Sequence, residues 1–311
     1  MVDHLLGLSW NGESAFFRRR TSGSAGPEGE ASTPEASTLE PLAGLALRYT
    51  VVDGPRACLG HMERSSSGTR YIDCIRPVDE GRQCERCRTV DNVLAASMHQ
   101  SHRLGRGAVD PRLAEHLDQP HRLYVAGFRD GSVKVGTTAG ASGGSRLVEQ
   151  GAWQARYVAV APNGFVVRDL EDRVTEAFGA GQAVSVRRKL SGLIQPIPDA
   201  ELARRLADLA KQIHDLVAIE GEFVAVEEAD VSWANPAILE RCWSDIIDYP
   251  LDLAKGAHKL DVVGVCGRVI AATREEHDET FAIDLGRIFG LPLEFGDDVE
   301  PDEVRIQGSL F

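Results

Sequence analysis

The sequence predicts an α+β protein built from several segments, and three observations carry that expectation. Glycine-punctuated, strand-like runs occur at both chain ends, helix-period patterns fill the middle, and four of six cysteines fall within 30 residues. At 311 residues, 43% hydrophobic and 26% charged, the chain has an ordinary globular composition and length enough for two or three cores. No apolar run approaches the roughly 18–20 residues of a membrane span. The start, MVDHLLGLSW, carries an acid where a secretory signal would be basic. A cytoplasmic protein with no membrane partner is expected.

Taken in order, LLGLSWNGESAFF (5–17) reads as a hairpin around Asn-Gly, a pair suited to a type I′ turn. Residues 21–41 are rich in small, acidic and proline residues and read as a disordered loop. Strand character resumes over 42–54, closing an N-terminal β segment, 1–55. A cysteine-bearing segment follows at 56–90, then a helical connector at 91–119. The central segment, 120–195, reads as a hairpin (122–138), a helix (145–153), a strand (155–162) and a helix (168–179). In that last helix Leu170, Val174, Ala177 and Phe178 fall on one face, with Glu171 at its border. The region 196–311 opens with a helix over 199–219 carrying Leu202, Leu206, Leu209, Ile213 and Leu216, then returns to strands at 260–273 and 280–295. Strands at both ends suggest one β unit formed from the N- and C-terminal segments.

The net charge of −13 is unevenly spread. Residues 56–195 carry 20 Lys/Arg against 15 Asp/Glu, and residues 196–311 carry 10 against 25. A mildly basic middle suits an acidic partner such as nucleic acid, and the acidic tail suits either a solvated surface or a basic partner.

Cys58, Cys74, Cys84 and Cys87 follow the spacing C-x15-C-x9-C-x2-C, with His61 three residues after the first. Two ligands from a Cys-x2-Cys turn and two from a second arm make a tetrahedral zinc site, with four thiolates the first choice and His61 the alternative ligand. Disulfides do not persist in a reducing cytosol. The surroundings EGRQCERCRTV do not resemble the strand-to-helix setting of a redox dithiol. Cys242 and Cys266 stand alone and read as small core residues.

The stretch LYVAGFRDGSVKVGTT (123–138), followed by Arg146 and Glu171, raises a different question. Its order and spacing resemble the GIY-YIG nuclease fold, a small antiparallel sheet with flanking helices. Tyr124 matches the tyrosine of the first motif, and KVG (134–136) matches the second with lysine in place of tyrosine. The wider pattern, a cysteine cluster ahead of this domain, resembles a prokaryotic family of unknown function. The resemblance implies a metal-dependent nuclease cutting DNA or RNA. Tyr124 would orient or deprotonate water, Lys134 and Arg146 would meet the phosphate, and Glu171 would hold Mg²⁺. Gly136, Thr138 and Gln150 would contact the nucleic acid. Gln150 stands where many members carry histidine, and a glutamine is no general base near neutral pH. A zinc-containing nucleic-acid-binding protein whose nuclease site no longer cuts is therefore the alternative. A protein-interaction module is the third.

Overall fold

The computed structural model describes residues 2–21, 37–65, 68–140, 143–220 and 232–304. Strands β1 (Asp3–Asn11) and β2 (Ser14–Thr21) form the first hairpin, followed by β3 (Thr38–Pro41) and β4 (Ala46–Val51). Four short strands come next: β5 (Arg56–Ala57), β6 (His61–Ser65), β7 (Gly68–Ile72) and β8 (Pro77–Val78). Helices α1 (Glu85–Leu104) and α2 (Pro111–Leu117) lead to β9 (His121–Gly127) and β10 (Val133–Ala139). Helix α3 (Gly143–Glu149), β11 (Gln154–Ala161), α4 (Gly164–Phe178), α5 (Val186–Ile194) and α6 (Asp199–Glu220) complete the middle. The last strands are β12 (Ser232–Ala234), β13 (Ile247–Asp248), β14 (Ala257–Cys266), β15 (Val269–Arg274), β16 (His277–Asp284) and β17 (Pro292–Phe295). The protein is thus mixed α+β with one large sheet, several helices and a cysteine cluster.

Two compact units result. The first is drawn from Met1–His61, Tyr71–Thr89 and Ser244–Phe311, the second from Met62–Arg70 and Val90–Trp243. In the first, the described strands form a nine-stranded sheet in the order β13-β16-β15-β14-β4-β17-β1-β2-β3, so strands from both chain ends share one sheet. Its core gathers Leu5, Phe17, Tyr49, Leu260, Phe281 and Leu293. In the second, a four-stranded antiparallel sheet runs β10-β9-β11-β12, with α4 and α6 packed on it. Leu94 and Met98 of α1, Leu113 and Leu117 of α2, and Phe165 of α4 form a smaller cluster in the same unit.

Several local expectations change. The first hairpin turns on Gly12 and Glu13, with Asn11 paired to Ser14, and only Gly12 has a positive φ, 59°. That is not type I′, which needs two such residues. Within the segment expected to be disordered, 22–36 lies outside the described residues, while Thr38–Pro41 pairs with β2 as an edge strand. The run 260–273 is two strands folded back at Gly267, φ 61°.

The two amphipathic helices also present faces slightly rotated from those expected. On α6 the buried line is Leu202, Leu206, Ala210, Ile213 and Val217, the drift of a straight 3.6-residue helix rather than a heptad. Leu209 and Leu216 are only half-buried flanks. On α4 the buried face is Val167, Leu170, Glu171 and Val174, while Ala177 is exposed. This helix starts four residues earlier than expected because the Asn163 side chain caps it, accepting from the Val166 N–H at 2.9 Å. The segment boundary at 195 does not separate the units: α6 packs on β9 and β11, inside the second unit.

Candidate functional site

The second unit contains a cleft of about 240 Å³ lined by Tyr124, Lys134, Gly136, Arg146, Arg168 and Glu171. Sheet register explains part of the convergence. Lys134 and Gly136 are two apart on β10 and share one face; β9 lies beside them, with Gly136 paired to Tyr124 and Lys134 to Ala126. The turn joining the strands is held by Asp130, whose carboxylate accepts from the Ser132 N–H at 3.0 Å. The Tyr124 ring lies across Gly136 so closely that a Cβ there would stand 2.5 Å from the phenolic oxygen. Glycine is thus required by the tyrosine. Arg146 comes from α3, and Arg168 and Glu171 from α4.

The electrostatics are those of a partly neutralised cationic cleft. Lys134 is buried, 8% exposed, and no carboxylate lies within ion-pair distance of its ammonium among the described residues. Burial, reinforced by the charges of Arg146 and Lys189 and opposed by Glu171, brings its pKa down to about 8. The Tyr124 phenol is pushed above its ordinary value by burial, which Arg146 and the Gln150 hydrogen bond partly offset. It is therefore neutral near pH 7. Its oxygen accepts from Gln150 Nε2 at 2.9 Å, leaving the phenolic proton for another acceptor. The same Gln150 amide donates to the Arg146 carbonyl at 3.0 Å, so it sits behind the tyrosine. Glu171 is 4% exposed, inside the buried face rather than at its border. Burying that carboxylate calls for a partner, and Arg168 supplies it at 2.6 Å through Oε2.

The residues expected at the site divide accordingly. Tyr124, Lys134, Gly136, Arg146 and Glu171 line one cleft; Gln150 supports Tyr124. Thr138 does not line it, its hydroxyl donating to the Ala139 carbonyl at 3.3 Å. Sequence reasoning missed Arg168, whose position one turn before a buried glutamate is the available signal. It also missed Arg64 of β6 and a face of α1 that lines the same cleft.

A second candidate site lies in the first unit. The sulfurs of Cys58, Cys74, Cys84 and Cys87 all lie within 4.8 Å of one another. Four thiolates at about 2.3 Å from a tetrahedral zinc would be about 3.8 Å apart, and Cys74 and Cys84 are at 4.0 Å. These four close cysteines could bind a metal such as zinc. They are the one set of three or more His, Cys, Asp or Glu ligand atoms so grouped among the described residues. His61 lies outside the four, its Nδ1 3.6 Å from the Cys87 sulfur.

Backbone N–H groups of Gly60 and Cys84 point at the Cys58 sulfur, at 3.4 and 3.1 Å. The Cys-x2-Cys pair opens a helix after an irregular segment rather than a strand: Cys84 directly precedes α1 and Cys87 is in its first turn. Hydrogen bonding from the Cys87 N–H, the leading cause, and from neighbouring thiols brings the Cys84 thiol down to about 7. Burial pushes Cys58 and Cys87 up. Cys266 is a buried core residue, whereas Cys242 is half-buried with its sulfur 3.6 Å from Glu240.

With this geometry in hand, comparison with known proteins gives one positive result. A family model described as "Protein of unknown function (DUF2797)" matches residues 52–252, and the chain belongs to that family. The search of curated proteins and the search of solved structures found no match.

Proposed function

We propose that this DUF2797 protein is a GIY-YIG-like, metal-dependent hydrolase of phosphodiester bonds in DNA or RNA, carrying a structural zinc on Cys58, Cys74, Cys84 and Cys87. The observation that carries the reading is the convergence of Tyr124, Lys134, Arg146 and Glu171 on one cleft from four different elements. Hydrolysis requires stabilised charge on the phosphoryl oxygens, a positioned water and a stabilised leaving oxygen. Lys134 and Arg146 place positive charge at the cleft, with Arg146 presenting a forked donor set. Tyr124, its oxygen already accepting from Gln150, donates its proton toward a phosphoryl oxygen or the water. Arg168 holds Glu171 through Oε2 alone. Glu171 is thereby fixed as a single-carboxylate ligand, a mode Mg²⁺ accepts when waters complete its shell. Bound there, the ion would polarise the phosphoryl oxygen and acidify a water.

One observation favours a second reading, a zinc-containing nucleic-acid-binding protein that does not cut. The Arg168–Glu171 pair already neutralises the carboxylate, and Gln150 cannot act as a base. Incubation with plasmid DNA and with RNA, in Mg²⁺ or EDTA, separates the two. Cleavage in Mg²⁺ alone that disappears in Glu171→Gln supports hydrolysis at this cleft; cleavage that survives the substitution rejects the site. Salt-dependent binding without cleavage selects the second reading.

A further inference from the structure

Phosphate chemistry explains the cations of the cleft but not the rest of its lining. Asp91, Leu94, Ala95 and Met98 of α1 also line it, at the i, i+3, i+4, i+7 spacing of one helix face. Met62 of β6 joins them, tied to the helix by its N–H donating to the Asp91 carboxylate at 2.8 Å. Met98 is buried in the small cluster with Leu113 and Leu117, which anchors this face to the unit. Leu94 and Met62 stay half-buried and Ala95 exposed. The cleft thus sets a cluster of apolar side chains, Met62, Leu94, Ala95 and Met98, flanked by Arg64, Asp91 and His99, beside the buried ammonium of Lys134 and the guanidinium groups of Arg146 and Arg168.

We infer that this apolar cluster is a nucleobase subsite, so that the cleft takes an unpaired nucleotide: base against Met62, Leu94 and Met98, phosphate against Lys134 and the arginines. This rests on the nucleic-acid reading proposed above and adds the strand state of its ligand. Two physical points select the occupant. A base within a duplex has both faces covered by its stacked neighbours and cannot present one to a side-chain wall, whereas an unpaired or flipped base can. A cleft of about 240 Å³ has room for one base and its phosphate but not for a double helix. Methionine side chains add adaptable, polarisable contacts to an aromatic ring, which suits any of the bases rather than one.

The test is fluorescence anisotropy with the full-length protein in EDTA, using a labelled single strand as DNA and as RNA, the same strand annealed to its complement, and the same strand with abasic sites throughout. The single strand should bind about tenfold or more tightly than either the duplex or the abasic strand, a difference equal to about 1.4 kcal/mol. Leu94→Ala should weaken the intact strand several-fold while leaving the abasic strand unchanged; if that variant does not fold, the intact-against-abasic comparison in the wild-type protein decides alone. Equal binding of duplex and single strand, or of intact and abasic strands, overturns the nucleobase subsite while leaving phosphate binding standing. Absence of salt-dependent binding to every strand overturns the nucleic-acid reading itself.

Discussion

Gly136→Ala isolates the packing on which the cleft depends. The Gly136 backbone lies outside the left-handed region, so alanine is conformationally acceptable and the objection is steric. Its Cβ would stand 2.5 Å from the Tyr124 oxygen, 2.6 Å from Cζ and 2.9 Å from Cε2. Tyr124 cannot yield easily. It is 1% exposed, packs among Ala126, Phe128 and Leu147, and is tied to Gln150 at 2.9 Å. Displacing the ring costs about 1–3 kcal/mol in overpacking, and losing the Gln150 hydrogen bond adds about 1 kcal/mol. The sum, about 2–4 kcal/mol, corresponds to a fall of roughly 4–16 °C in Tm for a unit of this size. Thermal unfolding of Gly136→Ala, Tyr124→Ala and the double variant gives the coupling directly. In the Tyr124→Ala background the alanine at 136 should cost well under half its wild-type penalty. Equal penalties in both backgrounds, or an unchanged Tm in the single variant, would show that the Tyr124 ring does not exclude a side chain at position 136.

Other consequences are open to direct measurement. Metal analysis of the purified protein should find about one zinc per chain, as a four-thiolate site requires, and Cys84→Ser should lose it together with thermal stability. Gly60→Ala should do the same, because φ there is +82° and a Cβ would meet the Ile72 carbonyl oxygen at 1.9 Å; circular dichroism and zinc content report it. With Lys134 down at about 8, the ammonium is charged below that pH and neutral above it. Affinity for a labelled single strand should therefore weaken by up to about tenfold between pH 7 and pH 9. Lys134→Arg, charged throughout that range, should flatten the profile.

Much of this was legible in the sequence because it is local. The α+β class followed from periodicity, and the four cysteines from their spacing. The strands around the Arg-Asp-Gly turn were readable because Gly131, with φ 83°, and Asp130 together specify a short reversal. What escaped was long-range or reciprocal. Arg168 carries no motif; only the burial of Glu171 on the inner face of α4 makes its partner necessary. Met62 and Arg64 reach the cleft from a strand some sixty residues before Tyr124, and no single-sequence pattern reveals that pairing. Edge strand β3 was invisible because its four residues follow a proline-rich, acidic run whose composition argues against order. The helix opening at Cys84 was missed for a different reason: the preceding segment is irregular, and the cysteines themselves, not a capping serine or aspartate, mark the start.

The most direct test of the proposed activity is single-turnover cleavage of an end-labelled single strand by excess protein in Mg²⁺, for the wild-type chain, Glu171→Gln and Lys134→Ala. The wild-type protein should cleave the strand, and EDTA should abolish the cleavage. Each substitution should slow it by about a hundredfold or more, the usual consequence of removing one charge-stabilising group. Cleavage at the wild-type rate in both variants would contradict hydrolysis at this cleft.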